Sequence, residues 1–284
     1  MEIKKVGVVG AGTMGNGIAQ VCAAAGLEVV MQDIGVAQVE RGLKTVSGSL
    51  DRLINKEKIT EADKKATLDR IATATSLEKL ADADIVIEAA TEDEALKLGI
   101  FEQLDTLCQP KAILASNTSS ISLTRIAGVT RRAAQVIGMH FMNPVPMMTL
   151  VEVIRALQTS DETCARVVEL GEFIGKIPVE AKDSPGFVAN RILIPMLNEA
   201  AYAYYEGLAS AEGIDEIMKL GMAHPMGPLA LADLIGIDTC YAVIKVLHDG
   251  FGDSKYRPCP IWRQMVDAGY LGRKSGRGFY SYDD

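Results

Sequence analysis

Apolar residues along the first two-thirds of the chain fall in short runs broken by glycine and polar residues, and thereafter at helical spacing. Ile3–Val9 and Leu27–Gln32 are apolar runs of strand length, with a helix-like segment from about Met14 to Ala25 between them. That pattern predicts a βαβ unit, two parallel strands joined by a right-handed crossover. A polar and charged stretch over about 35–70 follows, with apolar positions at Leu50, Leu53 and Ile54. It predicts a helical pair broken near Asn55–Thr60, too long for a simple crossover and so expected to protrude from the sheet. Further strands are expected at Ile85–Glu88, Ile113–Ala115, Gln135–Met139, Met148–Ile154 and Ile177–Glu180. Helical segments such as Glu94–Leu107 lie between several of them. This alternation predicts an α/β fold, a Rossmann-type doubly wound sheet covered on both faces. From Phe187 the pattern is helical, with breaks at Gly207, His224–Gly227, Gly236 and Gly250–Pro260. A boundary near 184 therefore separates an α/β domain, 1–184, from an all-helical C-terminal domain, 185–284. A chain of 284 residues has room for two cores.

Composition narrows the classes of partner. With 48% apolar residues and 23% charged, the chain reads as a soluble globular protein. It has no run of about 18 apolar residues, and its N-terminus lacks the pattern of a secretory signal, so a cytoplasmic protein with no membrane partner is expected. The net charge of −8 disfavours nucleic acid, whose backbone needs a basic field. Cys22, Cys108, Cys164, Cys240 and Cys259 are odd in number and form no CxxC pair, which argues against a disulfide framework or a metal site.

Gly10-Ala11-Gly12-Thr13-Met14-Gly15 fits G-x-G-x-x-G between the first strand and the first helix. Gly10 permits the tight turn, Gly12 lets the backbone approach a pyrophosphate, and Gly15 allows close helix–strand packing. The helix N-terminus adds unpaired N–H groups and a partial positive charge, to which Thr13 and Met14 belong. Asp33 closes the second strand 18 residues after Gly15. A carboxylate there accepts hydrogen bonds from both ribose hydroxyls and repels a 2′-phosphate, so NAD is expected rather than NADP.

Three later segments carry the chemistry: Ser116-Asn117-Thr118-Ser119-Ser120, Met139-His140-Phe141-Met142-Asn143-Pro144-Val145, and Lys182-Asp183-Ser184-Pro185-Gly186-Phe187-Val188-Ala189-Asn190-Arg191. With these, and the closing Gly272-Arg273-Lys274-Ser275-Gly276-Arg277-Gly278-Phe279-Tyr280, the chain resembles the L-3-hydroxyacyl-CoA dehydrogenase family in its short bacterial form, over essentially its whole length. Oxidising an alcohol needs a base for the hydroxyl proton, a hydride acceptor and polar groups that fix the carbinol. His140 suits the base, because imidazole titrates near neutral pH. Glu152 lies on the following strand, and a hairpin-like reversal through Asn143–Met147 would bring the two together. The resemblance implies that Glu152 orients His140 and stabilises the imidazolium, the logic of a catalytic triad. It also implies that Ser119 and Asn190 bond the substrate near its reacting centre, Ser119 touching the nicotinamide as well. Glu92, Lys97, Asn143 and Lys274 stand where the family contacts NAD; Lys97 is equally compatible with a solvated helix charge.

Arg52, Lys56 and Lys58 form a local basic cluster, and screening over about 8–10 Å lets such a cluster attract phosphate despite the net charge. The resemblance places Ser49 and Lys56 at coenzyme A contacts. It implies an acetoacetyl-CoA and (S)-3-hydroxybutyryl-CoA couple, a role in fatty acid and butanoate metabolism, and a homodimer through the C-terminal domain. Two rivals stand beside it. A 3-hydroxyacid dehydrogenase would carry a lysine base in G-x-x-x-N-x-x-K, but after Gly186 and Asn190 the lysine place holds Leu193. A catalytically inactive NAD-binding protein would have no reason to keep Ser119, His140, Glu152 and Asn190 together.

Overall fold

The computed structural model describes residues 2–282, and its contacts divide the chain into two compact units, Met1–Asp183 and Ser184–Asp284. The first unit is built on one eight-stranded sheet. Its strands are β1 (Lys5–Val9), β2 (Glu28–Gln32), β3 (Ile71–Ala74), β4 (Ile85–Glu88), β5 (Ile113–Ser116), β6 (Val136–Phe141), β7 (Leu150–Arg155) and β8 (Ile177–Lys182). They lie in the order β3-β2-β1-β4-β5-β6-β7-β8, and every neighbouring pair is parallel except β6 with β7. β4, β5 and β6 are buried along their whole length, as strands covered by helices on both faces must be. That is why they read as continuous apolar runs and not as alternation.

The covering helices are α1 (Thr13–Ala24), α2 (Val36–Ile54), α3 (Glu61–Asp69), α4 (Glu94–Leu107), α5 (Leu123–Gly128) and α6 (Asp161–Phe173). Four of them start on a side-chain cap: Thr60, Asp93, Ser122 and Ser160 each accept a backbone N–H of the first turn. The strand β3 was not foreseen in the sequence. Its Ile-Ala-Thr-Ala has one bulky apolar residue and exposes Ala72 and Thr73, so it lacks a strand signature. β3 changes the meaning of the helical pair. α2 and α3 together form the crossover from β2 to its parallel neighbour β3, so the stretch is a two-helix connection and not a simple one. α2 buries Val39, Gly42, Val46 and Leu50 at spacings of three and four, and a Cβ at Gly42 would lie 2.8 Å from the Ala11 carbonyl oxygen. The crossover thereby packs directly on the glycine loop.

The second unit is helical: α7 (Ala189–Tyr205), α8 (Ala211–Met222), α9 (Pro228–Ile235), α10 (Ile237–Phe251) and α11 (Pro260–Asp267). Its core gathers Leu197, Ala201, Cys240, Ile244, Leu247 and Trp262. The buried Asn198 carboxamide oxygen accepts the Trp262 indole N–H and the Cys259 N–H, each at 2.9 Å. The glycine-rich C-terminal stretch is fastened by buried Asp233, which accepts from the Phe279 N–H, the Tyr280 N–H and the Tyr282 hydroxyl. Among the described residues all five cysteines are buried thiols, no group of side chains could hold a metal ion, and no helix is long and apolar enough to cross a membrane.

Candidate active site

In a doubly wound sheet, ligands bind beyond the carboxyl ends of the parallel strands where strand order reverses. Here that reversal lies between β1 and β4. The register aligns Val9 of β1 with Glu88 of β4, Glu88 with Ser116 of β5, and Ser116 with Gly138 of β6, two residues before His140. The glycine loop, the Glu88–Glu92 segment, the Ser119 loop and His140 therefore share one edge of the sheet.

The glycine loop fits a dinucleotide for local steric reasons. Gly10 has φ +99°, and a Cβ there would lie 2.6 Å from the Ala89 carbonyl oxygen; one at Gly15 would lie 1.8 Å from the Gly10 oxygen. At Gly12 a Cβ would meet nothing within 4 Å, so that face opens outward. α1 is unlike the four covering helices that start on a side-chain cap. Its N-cap is Gly12, with no side-chain cap bond and no acidic residue in the first turn, so its amide dipoles suit an external anion. Thr13 is exposed there and Met14 half-buried against the core. Asp33 accepts the Ala11 N–H with one carboxylate oxygen and the Ile34 N–H with the other, each at 2.7 Å. A cavity of about 270 Å³ opens between Gly12, Thr13 and Asp33 on one side and Gln38, Arg41 and Thr45 of α2 on the other. The sequence reading missed those α2 residues, because only the packing of Gly42 on Ala11 brings that helix to the loop.

Beside the loop lies a buried charge network. The Glu88 carboxylate is fully buried and accepts the Lys97 ammonium at 2.6 Å, the Ser116 hydroxyl at 2.7 Å and the Ala90 N–H at 2.7 Å. Lys97, 1% exposed, also reaches the Ala90 carbonyl at 3.2 Å and Glu92 at 3.4 Å. The reading of Lys97 as a solvated charge is thus corrected: the helix turns it inward, toward a carboxylate that the sequence reading did not single out. Glu92 accepts the N–H groups of Ser119 and Ser120 and the hydroxyls of Thr118 and Ser120. Burial opposes its ionisation, but the Lys97 ammonium and these hydrogen bonds outweigh it and hold the carboxyl below its usual range. Glu92, Lys97 and Ser119 thus form one assembly.

His140 and Glu152 are direct partners in the antiparallel β6–β7 ladder, and His140 Nδ1 lies 2.7 Å from Glu152 Oε2. Both are buried, and the charge on Glu152 has an imidazole as partner, as a buried carboxylate requires. An ionised carboxylate can only accept, so Nδ1 carries the proton and Nε2 holds the basic lone pair of the neutral ring. Asn117 Oδ1 accepts the Phe141 N–H at 2.9 Å and so ties the Ser119 loop to β6. Asn143 is exposed at the start of the β6–β7 loop, before a cis Asn143–Pro144 bond.

The remaining candidates stand on other elements. Ser49 is half-buried near the end of α2, and Lys56 is exposed in the turn after it. In the helical unit, Asn190 sits in the first turn of α7, and Leu193 packs on the helical core. Lys274 pairs with Asp238 of the same unit at 2.6 Å.

Comparison with known proteins decides what this edge belongs to. Residues 5–184 match the NAD binding domain of 3-hydroxyacyl-CoA dehydrogenase, and residues 186–282 match its C-terminal domain. The chain belongs to the 3-hydroxyacyl-CoA dehydrogenase family. It is an NAD-dependent oxidoreductase. It is 57% identical to a probable 3-hydroxybutyryl-CoA dehydrogenase of Bacillus subtilis, over all of this chain and 99% of that protein. It is 52% identical to a 3-hydroxybutyryl-CoA dehydrogenase of Bradyrhizobium diazoefficiens, over 99% of this chain and 96% of that one. The crystal structure of (S)-3-hydroxybutyryl-CoA dehydrogenase from Ralstonia eutropha superposes with a TM-score of 0.97 at 60% identity, covering both chains completely.

Proposed function

We propose that this dehydrogenase interconverts (S)-3-hydroxybutyryl-CoA and acetoacetyl-CoA, with His140 as the acid–base group and Glu152 as its orienting partner. The observation that carries the mechanism is the buried His140–Glu152 bond at the strand edge that also holds the glycine loop. The C4 substrate is favoured by the names of full-length relatives at 52–60% identity.

In this reading Gly10, Gly12, Thr13, Met14, Gly15 and Asp33 hold the dinucleotide, Glu92, Lys97, Asn143 and Lys274 also serve NAD, and Ser119 touches its nicotinamide. Bound NAD supplies the acceptor for the hydride that leaves C3 of the substrate. His140 Nε2 takes the proton from the substrate hydroxyl, and Glu152 stabilises the imidazolium through Nδ1. In the reverse direction the imidazolium returns that proton to the carbonyl oxygen. Ser119 and Asn190 bond the oxygen at C3. Ser49 and Lys56 hold coenzyme A.

The first unit is then the cofactor domain and the second the substrate and dimerisation domain. Exposed Ile192, Leu208, Ile217, Leu220 and Met222 on the helical unit support a homodimer. Five buried thiols fit a reducing, cytoplasmic compartment, and the substrate couple fits fatty acid and butanoate metabolism.

The test is a spectrophotometric assay of the purified protein with NADH and acetoacetyl-CoA, then with longer 3-oxoacyl thioesters. Fastest turnover with acetoacetyl-CoA is expected. NADH consumption only with longer thioesters would overturn the C4 assignment, and none with any thioester would overturn the acyl-CoA reading.

A further inference from the structure

Lys176 is a buried cation that no step above uses. It stands between α6 and β8, one residue before the strand, and is 9% exposed. Its ammonium donates to the carbonyl oxygens of Val145 at 2.5 Å and Met148 at 2.7 Å. Both carbonyls belong to the loop that leaves β6 after His140, carries Asn143 and returns as β7 toward Glu152. Burial pushes the Lys176 amine below its ordinary range. An ammonium buried against two carbonyls, at that cost, has to be held by the structure around it.

The same loop also packs against α1. A Cβ at Gly17 would lie 2.8 Å from Val145 Cβ, so only glycine leaves the notch that buried Val145 fills. α1 is the helix whose open N-terminus faces the dinucleotide cavity. Within the loop, the Met147 and Met148 N–H groups both donate to the Pro144 carbonyl, which makes it one tight turn. Its position relative to α1 is thus set by a glycine notch and one buried charge.

We propose that Lys176 is a positioning residue for the cofactor: it holds the Asn143 loop at a set distance from the α1 N-terminus, and so matches the two ends of the NAD site. This rests on the assignment of Asn143 to NAD. It predicts that losing Lys176 weakens the dinucleotide selectively. A shift of the loop leaves the His140–Glu152 ladder pair intact, because the strands themselves hold that pair.

The experiment compares wild type with Lys176→Met, Lys176→Arg and Asn143→Ala, measuring Kd for NADH by fluorescence, KM for acetoacetyl-CoA, kcat and Tm. Lys176→Met should raise Kd for NADH roughly tenfold, since small misplacements of binding groups cost up to about a hundredfold. KM for acetoacetyl-CoA should change less than threefold, and Lys176→Arg should recover most of the NADH affinity. A Lys176→Met protein with lowered Tm but wild-type Kd would overturn the proposal, as would equal losses for both ligands. Wild-type NADH affinity in Asn143→Ala would instead remove the assignment on which it rests, and the proposal with it. If Lys176→Met does not fold, Gly17→Ala displaces the loop from the α1 side. It should weaken NADH binding, and unchanged affinity in a folded Gly17→Ala protein overturns the inference.

Discussion

His140 and Glu152 face each other across the one antiparallel pair in the sheet, with carboxylate and imidazole 2.7 Å apart. Glu152→Gln keeps the shape but offers Nδ1 an amide N–H donor, which favours the tautomer with the proton on Nε2. Turnover should fall by roughly 10²–10⁴-fold in this variant and in His140→Ala, the range for losing general acid–base catalysis. Affinity for NADH should stay within threefold of wild type. Steady-state kinetics with a separate NADH titration check both, and a folded His140→Ala protein within tenfold of wild-type turnover would end the role assigned to His140.

Asp33 closes β2 and fixes the glycine loop through the Ala11 N–H. Asp33→Ala removes a negative charge from a cavity that Arg41 also lines. The ratio of kcat/KM for NADPH to that for NADH should rise at least roughly tenfold, in line with the few kcal/mol of a close charge interaction near a surface. An unchanged ratio would show that other residues set the preference.

Glu88 and Lys97 form an ion pair with almost no exposure. Glu88→Gln leaves an ammonium buried without that charge, Lys97→Met leaves a buried carboxylate without its cation, and each should cost about 3–5 kcal/mol. Replacing both, as Glu88→Gln with Lys97→Met, should cost less than the sum of the single changes, because neither variant charge is then stranded. Urea unfolding of the four proteins measures the coupling, and strict additivity would contradict it.

Glu92 is held below the usual carboxyl range, against burial, by Lys97 and the hydrogen bonds of the Ser119 loop. Below its ordinary pKa of 4.5 the unfolded chain binds this proton before the folded one does. The stabilisation is therefore present above that value and is lost as pH falls through the folded pKa. Glu92→Gln should have a lower Tm than wild type at neutral pH, and the gap should narrow as the pH is taken below 4.5. A gap that is constant with pH would rule out the charge as its source.

Lys56 is exposed in the turn between α2 and α3, midway along the β2–β3 crossover. Lys56→Ala should raise KM for acetoacetyl-CoA by roughly threefold to tenfold, the worth of one partly screened charge contact. KM for NADH should hold. Equal rises in both would argue against a coenzyme A contact.

Much of the site was legible because its residues are set by local backbone demands. Gly10 at φ +99° and Gly15 against the Gly10 carbonyl are requirements of a strand–turn–helix, and they read directly from neighbouring letters. Likewise Ile85–Glu88 and Glu94–Leu107 have the bounds that their apolar patterning predicts. What was missed has physical reasons. β3 is a short strand of small residues, recruited by pairing with β2 and not by its own propensity. Lys97 reads equally as a cofactor contact and as a surface charge on an acidic helix, because nothing local shows that Glu88 lies buried beside it.

The sequence by itself determined the α/β plan, the glycine loop with Asp33, and the residue types needed for alcohol oxidation, since each depends on contacts close along the chain. Only the tertiary structure decided the His140–Glu152 register, the Glu88–Lys97–Glu92 network under the Ser119 loop, and the hold of Lys176 on the Asn143 turn. Those depend on which strands pair and how the helices close over them, interactions between residues far apart in the chain that no local pattern records.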